Sequence, residues 1–262
     1  MKWRTTILII AVLLVSKCHG IALDCVFRSH SFSVIGSRYA CDARVLFDAN
    51  ENVTTVYGLH EAGKGHEDVH GIVIQSQSLE FVPTNIESFF PNVIAISLGD
   101  NHITSIQNRH LAPFPNLEYL WLAGNNFTLV DGSLFSGLNS MRLISFNSNS
   151  IRHVGHDLNL PLNGDVRFSA NSCISETAAT PDAVAALKLN LLRNCPPTIS
   201  QIEDSLETRP NLLTYTYGQV QSLRNEQANM LGRIAFLEYI IGNKLETTPK
   251  AQFLIDMLRR NN

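Results

Sequence analysis

The chain has 262 residues, 45% of them hydrophobic, with 20 Lys and Arg against 23 Asp and Glu. That apolar fraction supplies a folded core, and the slightly acidic balance argues against a broad basic face for nucleic acid or anionic lipid. No G-x-S-x-G, P-loop, C-x-x-C or H-E-x-x-H occurs, so nothing supports a nucleophile, phosphate or zinc site of those kinds.

Met1 to Gly20 reads as a secretory signal peptide. Lys2 and Arg4 form the charged start, Thr5 to Val15 the apolar run, and Cys18 and Gly20 the small residues before a cleavage point at Ile21. The apolar run is too short for a permanent membrane span. Without this segment 17 bases face 23 acids, a net charge of −6, and four cysteines remain. An even count in an exported chain reads as two disulfides. Of three pairings, Cys25–Cys41 with Cys173–Cys195 is expected, because a bridge between the two segments would have to cross everything that lies between them. The expected location is extracellular.

Residues 21–68 read as an N-terminal cap. Leu23 to Arg28 and Arg38 to Phe47 look like two strands, with Ser29 to Gly36 turning between them. Asn52-Val-Thr54 is an N-glycosylation sequon, as is Asn126-Phe-Thr128 further on. His60, Glu61, His66, Glu67, Asp68 and His70 cluster around Gly58, Gly63 and Gly65. The residue types would suit a metal, but their spacing fits no standard motif. The expectation is a solvated, glycine-rich connecting loop, with no metal and no cofactor. His153, His156 and Asp157 are read in the same way.

From Val69 to about residue 174 the sequence falls into rows of twenty-four. Val69, Ile72, Ile74, Gln77, Leu79, Val82 and Phe90 occupy positions 1, 4, 6, 9, 11, 14 and 22. Val93, Ile96, Leu98, Asn101, Ile103, Ile106, Leu111 and Phe114 follow in the same register, with position 19 now filled. Leu117, Leu120, Leu122, Asn125, Phe127, Val130, Phe135 and Leu138 make the third row. Met141, Ile144, Phe146, Asn149, Ile151 and Val154 open a fourth row, two residues shorter. Val166, Phe168, Asn171 and Cys173 open a fifth. This is the L-x-x-L-x-L-x-x-N/C-x-L pattern of leucine-rich repeats. Positions 4 and 6 alternate with variable residues, as in a short strand with one buried face. One row cannot bury its own apolar side, so rows stack into a continuous core. Asn101, Asn125, Asn149 and Asn171 sit where the chain leaves the strand, and are expected to form a structural ladder that satisfies backbone groups of their own and the next row. The fold class expected is α/β: a leucine-rich repeat solenoid of about five short coils with disulfide-capped ends.

Positions 3 and 5 are expected to point out of the concave face. Position 5 carries Val73, Ser97, Trp121, Ser145 and Arg167; position 3 carries Gly71, Ala95, Tyr119, Leu143 and Asp165. The candidate partner-binding surface is therefore Val73, Ser97, Tyr119, Trp121, Leu143, Ser145 and Arg167, centred on the two aromatics.

Residues 175–197 read as a C-terminal cap. Thr180 and Pro181 start a helix to Arg193, with Val184, Leu187, Leu191 and Leu192 on one side and Cys195-Pro-Pro197 ending it. Residues 198–262 form a helical tail. Ile199 to Thr208 suits a short helix, and Asn211 to Leu245 carries a heptad. Leu213, Val220, Gln227, Ile234 and Ile241 take position a, and Leu223, Met230 and Leu237 take d. Such a stripe suits a coiled coil with another chain or docking on the repeats. Phe253, Leu254, Met257 and Leu258 make a last amphipathic turn.

With this tail the chain resembles the leucine-rich immune proteins of mosquitoes and related insect haemolymph proteins. The resemblance rests on the Cys25–Cys41 cap, Gly58-Leu-His60, the row ends Phe90-Pro91-Asn92 and Phe114-Pro115-Asn116, and Asn171-Ser-Cys173. It implies a secreted recognition protein acting in innate immunity, which pairs through its tail with itself or another leucine-rich protein. In that family a cysteine-rich junction joins partners by disulfides; here Cys195 is assigned to the cap. The expected function is non-enzymatic protein recognition. The alternatives are an adhesion or matrix scaffold and, from another class, a metal-binding protein or enzyme using the His60–His70 loop.

Overall fold

A computed structural model describes residues 20–48, 50–208, 221–222 and 224–235. The chain divides into two compact units, one up to Glu203 and one from Asp204. The first is mixed α/β and is organised by one long sheet. Its strands are β1 (Ile21–Phe32), β2 (Gly36–Asp48), β3 (Val53–Tyr57), β4 (Gly71–Val73), β5 (Ala95–Ser97), β6 (Tyr119–Trp121), β8 (Leu143–Ser145), β10 (Asp165–Arg167) and β11 (Thr177–Ala178). Two further short strands, β7 (Leu129–Val130) and β9 (His153–Val154), pair with each other on the return side. The sheet runs β11-β10-β8-β6-β5-β4-β2-β1-β3.

Each row of the sequence supplies one strand, at positions 3 to 5. Gly71, Ala95, Tyr119, Leu143 and Asp165 stand side by side in parallel register, and the shortened fourth row does not shift it. Ile72, Ile96, Leu120, Ile144 and Val166 at position 4 enter one continuous core with the position 6 residues and the apolar return path. Core burial of this kind is the main stabilising term, at about 25 cal/mol per Å² of apolar surface.

After each strand the chain must turn sharply. Position 8 adopts the left-handed conformation in every row: Ser76, Asp100, Gly124, Ser148 and Ala170. For a side chain that conformation costs about 1–2 kcal/mol, least for Gly and for Asn or Asp. Ala170 has neither the freedom of glycine nor a side chain that bonds locally. Ala170→Gly is expected to stabilise the protein by about 1 kcal/mol, read as a rise in the urea midpoint at unchanged slope.

The turn is held by the asparagines. Asn101 Oδ1 accepts from the Gln77 and Leu79 amides, while its Nδ2 donates to Ile74, Leu98 and Gly99 carbonyls. Asn125, Asn149 and Asn171 accept from Ile103, Phe127 and Ile151 and donate to carbonyls of their own and the preceding row. The ladder thus reaches back to the preceding row; the expectation was the next one. Gln77 extends it into the cap. Its longer side chain accepts from Val45 N at 2.7 Å and donates to Ala43 O at 2.5 Å, bridging the first row to β2.

The ends are closed differently from one another. The N-terminal hairpin is longer than expected, and only Ser33-Val34-Ile35 separate its strands. It extends the sheet directly, with Ala40, Cys41 and Asp42 beside Gly71, Ile72 and Val73. Strand β3, which the sequence reading missed, runs parallel to the start of β1. At the far end β11 turns back against β10, and helix α2 (Pro181–Asn194) buries Val184, Leu187 and Leu191 over the last row. Thr180 caps the helix by accepting from Ala183 N. Leu192 stays exposed, unlike the other three. The disulfides are Cys25–Cys41 and Cys173–Cys195, the pairing expected. Each closes a loop worth about 3 kcal/mol in the chain-entropy model. A one-turn helix α1 (Asn108–Leu111) lies in the second row, and α3 (Ile199–Thr208) follows the cap. Gln201 fastens the start of α3 by donating to Val130 O at 3.0 Å.

Most of the tail heptad, and the turn from Phe253 to Leu258, lie outside the described residues. Within it, residues 224–235 are helical, and Met230, Leu231 and Ile234 are exposed. No helix among the described residues is long and apolar enough to cross a membrane.

Candidate functional site: the front face of the sheet

Positions 3 and 5 do share one face of the sheet, opposite the main core, but most of that face is covered. Val73, Ser97, Tyr119, Leu143 and Ser145 are all buried, against the expectation that they point into solvent. Only Trp121 and Arg167 of the expected surface keep partial exposure. For Val73, Tyr119 and Leu143 the cause is the hairpin. Its tip carries Phe32 and Ile35 onto Ala40, Val73, Ala95, Tyr119 and Leu143, forming a second apolar cluster with Trp121 at its margin. Phe32 meets Tyr119 edge-on at 5.2 Å. A side chain at Gly71 would come within 2.6 Å of the Phe32 ring, so glycine there makes room for the tip. Burial pushes the pKa of the Tyr119 phenol up, opposed by the Ser33 side chain.

Beyond the tip the face is built by Trp121, Arg167 and Asp165. Trp121 stacks parallel to Tyr119 at 6.3 Å and lies against Gly99, where a side chain would collide with the indole. Arg167 binds Asp165 through two hydrogen bonds and places its guanidinium 5.7 Å from the Trp121 ring. Asp165 raises the Arg167 pKa further. Strand β8 lies between β6 and β10, so this reach from Arg167 to Trp121 passes over Ser145. That buries Ser145 Oγ, which has no hydrogen-bond partner among the described residues.

Part of the face was missed by the sequence reading because it belongs to the cap. The β1–β2 register sets Asp24 opposite Arg44, Val26 opposite Asp42 and Arg28 opposite Ala40. These residues stand on the same face as Ala40 and Val73, since Cys25, Phe27, Cys41 and Ala43 turn into the main core. Asp24, Val26, Arg28, Asp42, Ala43, Arg44 and Gln77 line an open groove of about 470 Å³. Arg28 pairs with Asp42 within it, and Val26 is 61% exposed. The signal was present as a period-two alternation, D-x-V-x-R in β1 and A-x-D-x-R in β2.

The histidine-rich loop is not simply solvated. His60 stacks on Phe27 with ring centres 3.7 Å apart, and its Nδ1 lies 3.2 Å from the Tyr39 hydroxyl. That hydroxyl also accepts from Glu61 N. His66 packs edge-on against Phe90, and Lys64 Nζ sits 3.9 Å over the Tyr39 ring. The loop therefore lies over the aromatic side of the hairpin, which explains its departure from a free connector. Among the described residues no group of three or more His, Cys, Asp or Glu could hold a metal ion. His153 contributes Nδ1 to the Pro196 carbonyl at 2.8 Å and belongs to β9, so the back of the fourth row is more regular than expected. Asn52 and Asn126 are both exposed, as a glycan would require.

Burial lowers the His110 pKa, aided by Arg109 and opposed by Glu51. Its neutral Nδ1 accepts from the Gln107 amide at 3.0 Å. Burial, then His66, lowers His60 as well, against Glu67 and Asp68. Both groups take up protons more readily when unfolded. Stability is then full above about pH 6.5 and falls as pH drops below it toward the folded values. A melting temperature that declines between pH 7 and 5, less steeply in His110→Gln, is the expected result.

No family model and no curated protein matches the sequence. Among solved structures, the chain is similar to one in the Drosophila Toll–Spatzle complex, described as a molecular hub in development and innate immunity. The identity is 21%, the TM-score 0.36, and the match covers 46% of this chain and 17% of that one.

Proposed function

We propose that this chain is a secreted leucine-rich repeat protein that recognises a protein partner on the front face of its sheet and performs no chemistry. The observation that supports this reading is the contrast between the two faces. Residues that repeat from row to row fill the core or the asparagine ladder, whereas those that vary share the front face. There Trp121 and Arg167 keep partial exposure at one end, and the Asp24–Arg44 groove lies open at the other. Tryptophan and arginine are the residue types that most often anchor interfaces. Glycans on Asn52 and Asn126 complete the extracellular reading. Pairing through the tail and a part in insect innate immunity follow from the resemblance in sequence organisation.

The test places a photo-crosslinking amino acid at Arg44, Trp121 or Arg152 in turn. Arg152 is exposed outside the front face and serves as the control. Cross-linking of one extracellular protein from Arg44 or Trp121, but not from Arg152, is expected. Trp121→Ala in a normally melting protein is expected to weaken that capture about thirtyfold, the size of an interface hot spot. Capture mainly from Arg152 overturns the assignment.

A further inference from the structure

We propose that the outer edge of β1, from Val26 to Ser31, takes up an extended segment of the partner protein as an additional strand. The proposal rests on the reading of the front face as a binding surface and names the kind of partner it receives. Three observations point to it. First, β1 is paired along its whole length with β2, but β3 covers its other side only from Ile21 to Asp24. No hydrogen bond among the described residues engages the backbone of residues 26–31 on that outer side. A strand edge of this kind is a template for strand addition.

Second, the edge opens onto the Asp24–Arg44 groove. Val26 is 61% exposed within it, and the Arg28 side chain is 58% exposed despite its pair with Asp42. An added strand sets its own residues opposite these two, about 5 Å away. An apolar residue matches Val26, and a carboxylate two residues along matches Arg28. Ser29 and Ser31 on the other side are exposed and place no demand on the incoming chain.

Third, the charge pattern argues against a second copy as the occupant. Two copies related by a two-fold axis would pair antiparallel, centred on Arg28 or Ser29. The first centre sets Arg28 against Arg28 of the other copy. The second sets Arg28 against His30. Like charges directly opposite, as at the first centre, are destabilising, and the second centre offers Arg28 no carboxylate, so the edge is suited to a different chain with an apolar residue and an acid two apart.

The test uses the full chain, exported, with fluorescent threonine-rich peptides about ten residues long. One carries Val-Thr-Glu at its centre, one carries Glu-Thr-Val, and each has a Lys-for-Glu version. Binding of a Glu peptide is expected in one chain direction, with its Lys version about fivefold weaker. Arg28→Gln removes that preference, Val26→Lys abolishes binding, and N-methylation of alternate peptide amides abolishes it as well. Both substituted side chains are exposed, so the fold is retained, which circular dichroism checks. No binding of either Glu peptide, or binding indifferent to N-methylation and to both variants, overturns the edge. Persistence of Trp121 cross-linking in that case leaves the front-face reading standing and separates the two failures.

Discussion

Phe32→Ala is expected to lower stability by about 3 kcal/mol, at the lower end of the cost of emptying a buried aromatic site. The ring is 2% exposed, meets Tyr119 edge-on and fills the space above Gly71. The loss should be local before it is global. Phe32 and Ile35 belong to a cluster separate from the main core, so its removal frees the hairpin tip while the asparagine ladder and rows persist. Amide exchange at the tip is expected to rise well ahead of exchange in β5 and β6. In a chain lacking residues 1–20, Trp121 is the sole tryptophan, and acrylamide should quench it more strongly in the variant. Gly71→Ala attacks the same contact from the sheet side, because its methyl group would displace the ring. The two substitutions are therefore expected to be far from additive. A Phe32→Ala protein with wild-type exchange at the tip, or additive effects in the pair, would show that the tip does not rest on this face.

That contact also explains which parts of the molecule could be read from the sequence. The rows were legible because each position in a stacked unit faces the same neighbours, so Ile72, Ile96, Leu120, Ile144 and Val166 answer to one constraint repeated five times. The disulfides were legible because each pair lies in its own terminal segment. The front face was read as open because alternation within a strand reports which side a residue faces, not what lies upon that side. Phe32 and Ile35 looked like ordinary hairpin residues, yet they decide the burial of Tyr119, which lies 84 or more positions later in the chain. Gly71 was the available hint, as the smallest residue at position 3. The charged groove was missed for another reason. It carries the repeat face into two strands outside the repeat register, where the rows give no position numbers to follow.

Asn125→Ala is expected to cost about 3 kcal/mol, the upper end for stranding buried polar partners. Asn125 is buried, accepts from Ile103 N and donates to the carbonyls of Leu98 and Leu122 at 2.9 and 3.1 Å. The Ile103 amide is left without its acceptor, and water has no ready access between two packed rows. Asn171 makes the same set of bonds at the last row but is only partly buried. There solvent can replace the lost amide, and Asn171→Ala is expected to cost about 1 kcal/mol. The two values from urea unfolding thus measure how much of the ladder's effect comes from exclusion of water. Asn125→Leu separates bonding from volume, since leucine fills the space and makes none of the hydrogen bonds. A variant as unstable as Asn125→Ala assigns the loss to the hydrogen bonds. Recovery to wild-type stability would assign it to packing, and the asparagines would then hold the turn by shape alone.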